Sequence, residues 1–124
     1  LLVYGTFAPL FRARAALIAA LLFAISPQQL SYAKILIQVG AGEFFHLLAM
    51  CLLVRGIHGA RRWLVAASGV PLALAVCTYH SFKLAPLVAL AYGLDTLATR
   101  RDRSRPLGPW LLAGAGIFAL AALP

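Results

Sequence analysis

The sequence predicts an all-α fold, a multi-pass bundle of transmembrane helices. Three observations predict it. Residues of the set AVILMFWYC fill 63% of the 124 positions, against roughly 45–50% apolar, glycine included, in a soluble domain. Charged residues make up only 11%, where roughly 25% is usual. The basic residues are gathered into short clusters between long apolar runs. A 13.2 kDa globule has too much surface to cover with so few charges. The mean hydropathy of +0.91 agrees. Disorder, collagen and a disulfide scaffold are excluded by the same composition.

The net charge is +8, which in a soluble domain would suggest nucleic acid. Here the cations punctuate apolar runs, so a lipid bilayer is the expected partner and nucleic acid is not. Arg12 and Arg14 form one cluster, and Arg55, Arg61 and Arg62 a second. Arg100, Arg101, Arg103 and Arg105 form the third. Between successive clusters there is room for one out-and-back pair of helices. All three clusters then fall on one side, and the positive-inside rule makes that side cytoplasmic. Only Lys34 and Lys83 fall on the outer side, a split of nine against two. The expected location is the inner (plasma) membrane, multi-pass, with the Arg-rich loops cytoplasmic.

The elements follow in order. Residues 1–10 end a helix arriving at the cytoplasm, and 15–26 run outward. Residues 28–38 form an outer turn with helical character, and 40–54 return. Residues 63–78 run out, 84–98 come back, and 108–124 begin another outward pass. Pro109 sits well in the first turn of that last helix. Trp63 and Trp110 follow basic clusters, where an interfacial aromatic belt would place them. The linker 98–108 is the clearest loop. Residues 1–124 read as part of one transmembrane domain. The chain opens on an apolar run and holds a single Met, Met50, so it is expected to be a fragment of a longer protein.

A helix crossing the hydrocarbon core needs roughly 20 residues. Segments 15–26 and 84–98 are shorter. Their polar tips, Ser26-Pro27-Gln28-Gln29 and Thr78-Tyr79-His80-Ser81, are therefore expected below the outer surface. Non-helical backbone at that depth must be buried in protein or line a wet cavity. The lengths thus predict a recessed, outward-facing cavity at these tips.

The acids restrict the chemistry. Only Glu43, Asp95 and Asp102 exist. Asp95 and Asp102 belong to the cytoplasmic end, so neither can complete a triad with His80 or Ser81. Glu43 and His46 have the Glu-x-x-His spacing of di-iron bundles, but the second copy is missing. No metal or other cofactor is expected in this segment; a divalent metal elsewhere in a full-length enzyme stays open. Glu43 reads either as a functional intramembrane acid or as a hydrogen-bonding partner of a neighbouring helix. Cys51 and Cys77 read as small buried hydrophobes, and His58 as solvated in the second Arg loop. Gly40-Ala41-Gly42 and Gly114-Ala115-Gly116 suggest close helix contact or a kink. The small-residue stripes Gly69/Ala73/Cys77 and Ala85/Ala89/Gly93 predict a tightly packed second hairpin.

The outer lysines carry the most chemistry. Lys34 and Lys83 each precede a returning helix. A cation beside a helix N-terminus is disfavoured unless an anion joins them. Tyr32, Gln38, Tyr79, His80 and Ser81 add hydrogen-bonding groups nearby. Together these residues are the candidate site for a phosphate on a lipid or substrate. The competing reading is that both lysines snorkel to anionic headgroups.

At these residues the sequence resembles a family. The stretch from Ala24 to Lys34, with Ser26-Pro27, Ser31 and Lys34, is similar to a segment of bacterial polyprenol-dependent membrane glycosyltransferases. These are GT-C enzymes akin to protein O-mannosyltransferases and lipid A aminoarabinose transferases. The stretch from Ala75 to Leu87 resembles that family's later hairpin through Thr78-Tyr79, Ser81, Lys83 and Pro86-Leu87. Leu52-Leu53-Val54-Arg55-Gly56 resembles its cytoplasmic helix end. The resemblance covers most of residues 1–95. It implies transfer of a sugar, with inversion, from a polyprenyl-phosphate donor to an acceptor on the outer face. It places Lys34 and Lys83 at basic positions near the carrier phosphate. It also implies that the catalytic acid lies upstream, in the remainder of the full-length chain, and the fragment alone is expected to be inactive. Readings from other classes are a transporter or flippase for a lipid-linked or anionic solute, and a non-catalytic helper subunit.

The sidedness is testable by single-cysteine labelling in a Cys-free background. Positions 12, 58 and 103 are expected to label from the cytoplasm, and 28 and 81 from outside. Labelling of 58 and 81 from the same side rejects the topology.

Overall fold

A computed structural model describes residues 1–27, 37–59, 61–78, 83–99 and 107–122. Seven helices order these residues. They are α1 (Leu2–Phe7), α2 (Ala13–Ala24), α3 (Ile37–His58), α4 (Trp63–Ala67), α5 (Gly69–Thr78), α6 (Ala85–Thr99) and α7 (Gly108–Ala122). No strand occurs among the described residues. The all-α class expected from the sequence is what is seen. The segment expected at 28–38 lies mostly outside the described residues.

Nine of the twelve residues of α2 are Ala or Leu, which lose least on entering a helix. α3 is the long element, with 22 residues, about 33 Å at 1.5 Å per residue. Its stretch Gly40–His58, of mean hydropathy 1.4, is long and apolar enough to cross a membrane. Among the described residues it is alone in this; the other apolar helices are shorter. The sequence reading ended this helix at 54. It continues because Arg55 and His58 in the last turn suit the negative helix end. His58 is thus half-buried on the helix, not solvated in a loop. Its Nδ1–H donates to the Val54 carbonyl at 3.1 Å.

Residues 63–78, read as one segment, are interrupted at Ser68. Pro71 is the cause. It has no N–H to offer Ala67, and its ring crowds that carbonyl. The chain bridges the break by Ser68 N–H to Leu64 O at 3.0 Å and Leu72 N–H to Ser68 O at 3.2 Å. The Ser68 hydroxyl donates to Val65 O at 2.7 Å.

Two buried clusters set the helix directions. Leu53, Val65 and Leu107 pack together, with Leu97 and Leu111 against them. Ala49, Leu72 and Ala85 form the second cluster, with Phe118 against it. The end of α3, the start of α4, the end of α6 and the start of α7 therefore share one end of the bundle. Arg55, Arg61 and Arg62 are exposed at that end, as the alternation of segments required. α1 lies against α3, so close that a Cβ on Gly5 would sit 3.0 Å from Cys51 Sγ.

The tightest approach is between the α4–α5 pair and α7. A Cβ on Gly69 would run into the Gly114 carbonyl oxygen, and one on Gly114 would lie 2.9 Å from Val65 O. The same valine abuts α3, where a Cβ on Gly56 would lie 2.6 Å from Val65 Cγ2. The second hairpin is not the tight unit expected. Gly69 serves the contact of α5 with α7, Ala73 is buried, and α6 touches α5 only sparsely. α6 touches α3 and α7 sparsely as well, and toward α7 Gly93 faces the Leu111 side chain.

The outward faces stay apolar. Leu17, Ile18, Leu21 and Leu22 of α2 are exposed, as are Leu87, Val88, Leu90 and Leu94 of α6. Apolar patches of this extent mark contact with membrane or protein.

Gly69→Ala is expected to cost about 1–3 kcal/mol by overpacking. Gly116→Ala, in open space, is expected to be neutral or to gain up to about 1 kcal/mol in helix propensity. Reversible unfolding in mixed micelles measures both. Equal effects at the two glycines would reject the crossing.

Candidate functional site

Lys83 is the predicted site residue whose side chain the structure describes. It is exposed and forms a single 3₁₀ turn with Leu84 that leads directly into α6. Gln38 lies in the first turn of α3, described for its backbone only. Tyr32, Lys34, Tyr79, His80 and Ser81 lie outside the described residues.

The second cluster fixes the depth of Lys83. Ala85 packs level with Ala49 of α3 and Leu72 of α5. Ala49 is twelve residues from the start of α3 at Ile37, about 18 Å along the axis. Leu72 is six residues from the end of α5 at Thr78, about 9 Å. α6 therefore begins well inside the level that its neighbours reach. The first N–H groups of this 15-residue helix have no partners within it. Lys83 adds a full charge beside their partial positive charge.

The threonine hydroxyls among the described residues do not extend such a site. Thr78, which opens the Thr-Tyr-His-Ser stretch, donates to Leu74 O at 2.6 Å. Thr6 donates to Leu2 O at 2.9 Å and Thr96 to Tyr92 O at 2.8 Å. Each returns to its own helix. Such bonding satisfies a hydroxyl in an apolar medium and removes its proton from use elsewhere.

The acids are far apart. Glu43 and His46 are one turn apart on α3, both half-buried. No group of three metal-ligating side chains occurs among the described residues. Asp95 is exposed near the opposite end of α6 and accepts a bond from the Thr99 hydroxyl at 3.4 Å. Twelve residues of chain, nearly all helical, separate it from Lys83, about 18 Å at helical rise.

One feature was not anticipated from the sequence. An apolar groove of about 550 Å³ runs between α6 and α7. Leu87, Leu90, Leu94 and Leu97 form one wall, and Leu111, Leu112, Ala115 and Phe118 the other. Val65, Gly69 and Leu72 contribute to its floor. The leucine spacing along α6 was its visible signal, but the open gap beside it is a matter of packing.

The cysteines differ from expectation in one case. Cys51 is buried, as expected, but Cys77 is exposed, because the α5 face that packs carries Leu72, Ala73 and Ala75 instead. In detergent solution N-ethylmaleimide is therefore expected to label Cys77 at once and Cys51 only on unfolding. Equal labelling rates would contradict the α1–α3 packing.

No protein-family model, curated protein or solved structure matches the chain.

Proposed function

We propose that the chain is part of an integral membrane glycosyltransferase of the GT-C kind. It transfers a sugar from a polyprenyl-phosphate donor to an acceptor on the outer face. The observation that carries the reading is Lys83, exposed at the recessed start of α6, within the Thr78–Leu87 stretch that resembles the family's hairpin. The all-helical fold, the membrane-length α3 and the apolar outward faces support the membrane setting.

In this proposal α3 crosses the bilayer, and the shorter helices complete a multi-pass bundle with their connecting segments. The end bearing Arg55, Arg61 and Arg62 is cytoplasmic. Lys83, the α6 amides and Lys34 neutralise the carrier phosphate. As the sugar–phosphate bond breaks, the bonding pair stays with the phosphate oxygen. Cationic neutralisation is then stronger in the transition state than in the ground state, so it accelerates the step. The group that deprotonates the acceptor belongs to a part of the protein outside this chain. Asp95 is about 18 Å along α6 from Lys83, too far to serve.

A charge-assisted hydrogen bond is worth roughly 1.5–3 kcal/mol. Lys83→Met in the full-length protein is expected to weaken carrier binding about tenfold to a hundredfold, and to lower turnover as well. Carrier affinity and sugar transfer measure this. A snorkelling lysine would leave both within about twofold, and carrier movement across the bilayer without sugar transfer would indicate a flippase. Either result overturns the proposal.

A further inference from the structure

We infer that the α6–α7 groove is a binding slot for an anionic phospholipid, with one acyl chain along the groove and the headgroup at the arginine-bearing end. The site is separate from the carrier-phosphate reading, which concerns the opposite end of α6. The groove is apolar along its length, and its one lining hydroxyl, Ser68, already donates to Val65 O at 2.7 Å. Such a slot offers hydrocarbon a favourable place and a headgroup none.

The ends of the groove differ. At one end its lining includes Leu53, Val65, Leu97, Gly108 and Leu111, and most of these belong to the cluster at the junction of α3, α4, α6 and α7. Val65 follows Arg61 and Arg62 by one turn, and both arginines are exposed. Trp63 is 54% exposed and Trp110 39%, each in the first turn of its helix. Two exposed arginines therefore lie within one turn of this end of the groove lining, while the two tryptophans, exposed at the same end of the bundle, are on helix faces turned away from it. Asp95, the acid nearest that end among the described residues, is on α6 and bonded by Thr99. Arginine forks match phosphate oxygens, and indole rings settle at headgroup level. Basic pockets between membrane helices on the cytoplasmic side are a recurrent headgroup site. An apolar slot with cations beside one end is complementary to an anionic amphiphile of the bilayer. A zwitterionic lipid satisfies the slot but not the cations.

The test uses the full-length protein in phosphatidylcholine bicelles carrying a trace of spin-labelled phosphatidylglycerol. Selective retention of phosphatidylglycerol over labelled phosphatidylcholine is expected. Arg61→Gln with Arg62→Gln is expected to lower that selectivity about thirtyfold, from two near-surface charges. Ala115→Phe, from an exposed position in the groove wall, is expected to abolish retention of both lipids while the arginines remain. Unchanged retention in Ala115→Phe, or selectivity within about twofold in the double variant, overturns the inference. So does cross-linking of Leu94→Cys to another polypeptide segment, which would show the groove filled by protein.

Discussion

The approach of Gly69 to Gly114 is the contact on which the remaining packing depends. In the membrane setting proposed above, helices gain nothing from hiding apolar surface, because the alternative neighbour is equally apolar. What holds them together is van der Waals contact over a long, close interface, and closeness needs small residues. At this crossing the backbone of one helix meets the backbone of another with no side chain between them. Val65 then wedges between Gly56 of α3 and Gly114 of α7 and is fully buried. Three elements are locked at one level by two glycines and a valine.

The position of α6 is a consequence. Once α5 is committed to α3 and α7, no small-residue surface remains for α6 to share with its own hairpin partner. It rests through Ala85 at one end and through Gly93 against Leu111 farther along. The space left beside it is the groove. Its early start at Ala85 also sets Lys83 below the level of Thr78. The recessed start of α6 and the lateral groove have the same packing origin.

The two ends of the bundle then differ in chemistry. One bears Arg55, Arg61 and Arg62 with the flanking tryptophans; the other bears Lys83 at an open helix start. The hydroxyls of Thr6, Ser68, Thr78 and Thr96 are turned back on their own helices. Among the described residues, polar chemistry directed at a partner is thereby left largely to the cations, and both proposals concern anionic lipids for that reason.

Composition and charge spacing alone determined the helical class, the approximate segments 63–78, 84–98 and 108–124, and the sharing of one end by the residues around Arg55 and Arg61. These are local or counting properties: apolar length sets a helix, and alternation of direction sets the ends. Pro71 was equally visible, though its effect on Ser68 was not drawn from it. Tertiary structure decided which helix each small stripe would meet. Gly69, Ala73 and Cys77 look equivalent along the chain, yet Gly69 is at a backbone crossing, Ala73 is buried and Cys77 is exposed. A stripe specifies that a close neighbour is tolerated; only the competition among α3, α6 and α7 for the same face specifies which one is there. The extension of α3 to His58 and the groove beside α6 were hidden for the same reason. Both depend on what packs alongside, which the periodicity of a single helix does not contain.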